Sequence, residues 1–152
     1  MKEKRIGIEI RILANLICRC LNELGFNEEH NGLTGPQGLV LGYLYDHQDK
    51  DIFQKDIEAT FNIRRSTATG LLQCLEGNGF VKRVSVDYDA RLKKIVLTTK
   101  AHEFKELLES HIQKMEEILV KDLEPQEVDD LIRIIGKIKK NCLLYTSPSP
   151  RD

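Results

Sequence analysis

Within residues 54–99, two segments of helical period are followed directly by two of alternating period, and a glycine or asparagine stands at the end of each helical segment. Few folds accommodate that order in so short a span. Residues 54–60 form the first helix, with Ile57 and Ala59 inward. Asn62, in Phe61-Asn62-Ile63, can take the left-handed conformation that a tight helix-to-helix turn needs. The second helix is expected over residues 64–76, where Ala68, Leu71, Leu72 and Leu75 recur at three- and four-residue spacing and share one face. That leaves Arg64, Arg65, Ser66, Thr67, Thr69 and Gln73 at its exposed N-terminal end and outer face. Gly77-Asn78-Gly79 stops it. Residues 80–86 and 94–98 alternate apolar and polar, which predicts two strands, with Asp87-Tyr88-Asp89-Ala90-Arg91 as the polar tip between them.

Helix, tight turn, helix and two-stranded wing make a winged helix-turn-helix. A second helix that opens with arginines and hydroxyls suits the DNA major groove, where such side chains meet base edges and phosphates. Arg91 has the length and permanent charge to enter a narrow minor groove. Lys93 and Lys94 are expected beside phosphates, where they carry no sequence information. The net charge of the whole chain is only −1. Its distribution says more: residues 51–100 hold nine basic and six acidic side chains, net +3, and the rest holds 14 and 18, net −4. Positive charge gathers on the reading unit, as phosphate binding requires.

The residues that carry this reading also resemble those of the MarR family of bacterial transcription regulators. Leu75-Glu76-Gly77-Asn78-Gly79-Phe80-Val81-Lys82-Arg83 follows the family's pattern for the end of the recognition helix. Asp89-Ala90-Arg91 matches its Asp-x-Arg wing motif, and Leu97-Thr98 the pair that closes the wing. The resemblance covers nearly the whole chain. It implies a homodimeric, ligand-responsive repressor on double-stranded DNA with an inverted-repeat operator, and it implies that Asp89 orients Arg91. The chain departs from the family at Gly70, where a longer side chain is usual, and at Arg64, a poor N-cap.

Three amphipathic helices flank the reading unit, over residues 5–24, 100–122 and 125–141. In the first, Ile6, Ile10, Leu13, Ile17, Cys20 and Leu24 recur at four-three spacing, widened by Ile12 and Leu16, until Gly25 ends it. A lone helix cannot bury so broad a face. Thr34 reads as the N-cap of the next helix, with Pro36 in its first turn, Gln37 at N3, and Leu39, Val40, Tyr43 and Leu44 along it. After the wing, Thr98 or Thr99 caps a helix that carries Phe104, Leu108, His111, Met115 and Ile118 at four-three spacing. Leu123-Glu124-Pro125 breaks it, and the last helix aligns Val128, Leu131, Ile132, Ile135 and Ile138. The resemblance implies that the first and last two helices interlock between subunits, which nominates Ile6, Ile10, Leu13, Ile17, Leu108, Met115, Leu131 and Ile135 as dimerisation residues.

The chain is thus expected to be mainly α with a small β-hairpin wing, one domain over residues 1–141 with the winged helix-turn-helix at 34–99. At 152 residues, 41% hydrophobic and 31% charged, it has the composition of an ordinary soluble domain. Neither a membrane-length apolar run nor a signal peptide is present, so a cytoplasmic protein is expected. The final CLLYTSPSPRD abandons helical period and reads as a translated sequencing adapter, so residues 142–152 are expected to be non-native. Cys18 and Cys20 sit on the first helix, where some relatives place a reactive thiol, but residues two apart diverge by about 200° on a helix. His30, His47, His102 and His111 are scattered, and neither a metal site nor a cofactor is expected. No GxSxG, P-loop or HExxH suggests an enzyme. Two other readings are a winged helix that binds only protein and a cysteine-based redox regulator.

Overall fold

A computed structural model of the chain describes residues 3–24 and 33–146. The elements run α1 (Ile6–Glu23), α2 (Gly35–Asp46), α3 (Gln54–Phe61), α4 (Arg65–Gly77), β1 (Val81–Val86), β2 (Asp89–Leu97), α5 (Thr99–Val120) and α6 (Pro125–Leu143). This is the expected class: helices with one antiparallel two-stranded hairpin. Local chemistry sets the boundaries. The Thr34 hydroxyl accepts from Gln37 N at 3.4 Å, and the Gln37 side chain accepts in return from Thr34 N at 3.3 Å. Asp56 Oδ2 reaches back to Phe53 N at 2.8 Å to start α3. Asn62 ends α3 at φ 50°, and Gly79 at φ 81° turns the chain from α4 toward β1. Gly25, expected to end α1, lies outside the described residues.

The core sits between the reading unit and the first half of α5. Leu41 and Leu44 of α2, Ile57 of α3, Leu72 and Leu75 of α4, Phe80, Ile95 and Leu108 form one buried cluster. Phe80 is fully buried, 4.9 Å from Phe104 between ring centroids. Leu39 of α2 is half exposed, and Val40, Leu41, Leu44 and Tyr45 take the inward positions. Tyr45 donates its hydroxyl to the Ala101 carbonyl, tying α2 to the start of α5. Burial, followed by the negative charge of Glu109, pushes the Tyr45 pKa up to about 12.

Thr98 is the joint between wing and α5. Its hydroxyl accepts from Ala101 N at 3.3 Å as the N-cap, and it faces the Gly79 and Phe80 carbonyls at 2.5 and 3.2 Å as a donor. One side chain therefore holds the exit of the recognition helix, the base of the wing and the head of α5. Thr98→Ala removes both functions and is expected to cost about 1–2 kcal/mol. Thermal melting should then fall by about 2–8 °C; an unchanged melting temperature would show that this joint is redundant.

The outer helices correct part of the sequence reading. α1 and α6 bury no residue at all, although they span 18 and 19 residues. Of the residues nominated for dimerisation, Ile6, Ile10, Leu13, Leu131 and Ile135 are exposed, and Ile17 is half-buried. Leu108 and Met115 are not: they are 0% and 5% exposed, and Leu108 belongs to the core cluster. The large apolar residues that α5 leaves outward are Leu107, Ile118, Leu119 and Val120. Period identifies an apolar face but not what covers it. At the other end, α6 continues to Leu143, two residues into the stretch expected to be foreign. Cys142 and Leu143 do not oppose a helix, and the prolines that do lie beyond the described residues. No helix among the described residues is long and apolar enough to cross a membrane.

Candidate nucleic-acid interface

Burial of Ala68, Leu72 and Leu75 fixes the rotation of α4. Ser66, Thr67, Gly70, Gln73 and Cys74 are consequently exposed along its outer face, behind Arg64 and Arg65 at its start. Arg64 is the N-cap and makes no side-chain capping bond. Thr69 departs from expectation. It is half-buried, and its Oγ1 accepts from Gln54 Nε2 at 2.9 Å, so it faces α3 rather than outward. Gln54 also donates to the Arg65 carbonyl at 3.4 Å. This first residue of α3 pins the start of α4, a role the sequence analysis did not assign. The available signal was its place across the turn from the start of α4.

The wing is shorter at the tip and longer in β2 than expected. Val86 pairs with Asp89, so Asp87-Tyr88 is the turn, and β2 begins at Asp89 rather than at residue 94. The next ladder pair is Ser85 with Lys93, which leaves Ala90, Arg91 and Leu92 as a bulge. The bulge throws Arg91 outward, 91% exposed. Asp89 Oδ1 accepts from Arg91 N at 2.9 Å and from Nε at 3.3 Å, and Oδ2 from Nη2 at 3.4 Å. The carboxylate thus braces the guanidinium from behind, in the geometry expected of an orienting residue. The Arg91 backbone N–H, and then its side chain, hold the Asp89 carboxyl below its ordinary pKa. A depressed pKa keeps the brace ionised at neutral pH and loses it only as pH falls through that lowered value.

Lys93 and Lys94 part company because neighbours on a strand point to opposite faces. Lys93 is exposed. Lys94 turns toward the protein, with Nζ 3.5 Å from Asp51 Oδ1. Asp51 Oδ2 also accepts from the Tyr88 hydroxyl at 3.2 Å, and Ile95 N donates to the Ile52 carbonyl at 2.7 Å. The 51–52 segment therefore underpins the wing from base to tip. Asp51 and Tyr88 were not among the sequence candidates, because their partners lie 37 and 43 residues apart in the chain.

Of the thiols singled out, Cys18 is exposed and Cys20 half-buried, and both are free. Among the described residues no group of three or more His, Cys, Asp or Glu is placed to hold a metal ion. A cleft of about 550 Å³ opens between α2 and α5, lined by Gly42, Asp46, Glu106, Glu109, Ser110 and Ile112 among others.

Known proteins carry the same arrangement. The sequence model of the MarR family matches residues 31–92, which span the reading unit from α2 to Arg91. The HTH-type transcriptional repressor YetL of Bacillus subtilis is 27% identical over 115 residues, covering 75% of this chain and 68% of YetL. Among solved structures, MepR of S. aureus in complex with DNA superposes with a TM-score of 0.82 at 27% identity, over 92% of this chain and 99% of that one. The transcription regulator MarR of Oenococcus oeni superposes at 0.75 and 27% identity, over 90% and 99%.

Proposed function

We propose, from the premise that the chain belongs to the MarR family of winged helix-turn-helix transcriptional regulators, that it works as a homodimeric, ligand-responsive repressor on an inverted-repeat operator. The observation that carries the reading is Arg91, thrown out by a bulge and braced by Asp89, in a wing directly after a helix whose outer face is open. A module that only bound protein would need neither the brace nor the arginine. Arg64, Arg65, Ser66, Thr67 and Gln73 contact base edges and phosphates, and Lys93 a phosphate. Lys94 and Thr69, engaged by Asp51 and Gln54, support the wing and the recognition helix instead.

Two long helices with no buried residue support the dimer, because isolated amphipathic helices gain most of their stability from packing. An exposed apolar surface of this extent marks an interface. Repression is inferred from YetL, a repressor by name, and ligand response from membership of the family.

A two-fold dimer presents its two recognition helices to two half-sites about 34–36 Å apart, one helical turn of DNA. Selection from a genomic fragment library, followed by footprinting, is expected to give an inverted repeat with that spacing. Protection of one unrepeated half-site would overturn the dimeric reading.

A further inference from the structure

The end of α4 that carries the arginines receives little support from α4 itself. α2 and α5 open on threonine hydroxyls that cap them, but α4 opens on Arg64, which makes no capping bond. Residues 64–67 are all exposed, and the first buried side chain of the helix is Ala68. A first turn with neither a cap nor a buried side chain frays readily. Yet Arg64 and Arg65 sit on that turn, and a guanidinium reads a base edge only within the narrow tolerance of a hydrogen bond.

Gln54 supplies the missing hold from α3. Its amide nitrogen has two hydrogens, and each has an acceptor on α4: the Arg65 carbonyl at 3.4 Å and Thr69 Oγ1 at 2.9 Å. A carbonyl only accepts, so the amide must turn its nitrogen toward α4. Arg65 and Thr69 lie one helical turn apart, so the two bonds fasten the first and second turns of α4 to one point on α3. Gln54 and Thr69 are both half-buried, where a hydrogen bond is stronger than in open water. We propose that Gln54 is a positioning residue for base recognition. Acting through Thr69 and the Arg65 carbonyl, it sets the direction in which the Arg65 side chain enters the major groove. It thereby governs preference at the base pair that Arg65 reads, without touching that base pair.

This rests on α4 being the helix that reads the major groove, so each variant is scored on the randomised library from which the parent protein recovers its operator. Gln54→Leu keeps the bulk and removes both bonds, and Thr69→Val keeps the shape and removes one acceptor. Each is expected to lower discrimination at one base-pair position per half-site by about 2–10-fold, the worth of a single hydrogen bond. The other positions and the salt dependence should stay as in the parent. Thr69→Ser, which keeps the hydroxyl, should read like the parent. Arg65→Ala already lacks the contact, so Gln54→Leu added to it should change the preference no further. A merely structural role, or a phosphate contact by Gln54 itself, would weaken every sequence alike, and such a uniform loss would overturn the proposal. So would parental preference in Gln54→Leu and Thr69→Val, or a loss at a position that Arg65→Ala leaves intact. Recovery of no operator by the parent would instead overturn the DNA-reading role itself.

Discussion

A chain carrying Ile10→Asp together with Leu13→Asp is expected to sediment as a monomer at micromolar concentration and to lose measurable operator binding. Both side chains lie on α1, about half exposed, and neither belongs to the core cluster of its own chain. In a symmetric dimer each substitution counts twice. Full burial of one large aliphatic side chain is worth about 1.5–3 kcal/mol, and about half of each remains to be buried, so four of them represent roughly 3–6 kcal/mol before any charge is buried. That is roughly a 10²-fold loss of dimer affinity even at the lower end, to which the cost of burying four carboxylates adds. The core built by Leu41, Ile57, Leu72, Phe80 and Leu108 is untouched, so the reading unit should keep its helical circular dichroism. Persistence of the dimer would show that α1 is covered by something other than a second copy.

The second large effect separates the two arginines. Arg65, at the start of α4, is assigned a base contact, most often to guanine, and Arg91 a place in the minor groove and beside phosphates. Loss of a bidentate base contact costs about 1–3 kcal/mol per half-site and relaxes preference at one position. Loss of a wing arginine weakens all sequences alike and lowers the salt dependence by about one unit of slope per wing. Arg65→Ala should therefore change the operator recovered from a randomised library. Arg91→Ala should leave that operator unchanged and bind it more weakly, with a flatter response to salt. Binding of both variants to the library at two salt concentrations decides the matter. An unchanged preference in Arg65→Ala would shift base reading to Thr67 and Gln73. Parental affinity in Arg91→Ala would mean that the bulge does not reach DNA.

Much of the fold was legible because short-range chemistry dictates it. The Thr34–Gln37 capping box, the left-handed Asn62, the Thr98 cap and the stop at Gly79 each depend on residues within a few positions. Several features of the site were hidden for the converse reason. Thr69 and Lys94 look like surface groups until Gln54 and Asp51 are brought to them by the fold, across 15 and 43 residues. The early start of β2 was masked by the bulge at Ala90–Leu92, which breaks the alternation by which a strand is recognised. Leu108 and Met115 have the same spacing as an interface seam, but they face the chain's own core. Periodicity cannot tell one apolar cover from another, whereas capping and turn geometry have only one solution.

Thr98 carries a mechanical consequence. At its near end, α5 is fastened to the reading unit by the Thr98 hydroxyl, by Tyr45 on the Ala101 carbonyl, and by Lys100 on the Asn78 carbonyl. At its far end it offers Ile118 and Leu119 to whatever covers them. A helix of 22 residues at about 1.5 Å per residue is a stiff arm about 33 Å long. A swing of about 5° at the far end moves the DNA-reading end by about 3 Å, close to the 3.4 Å rise of one base pair. The angle at which two such arms cross would therefore set the operator spacing that the pair can span.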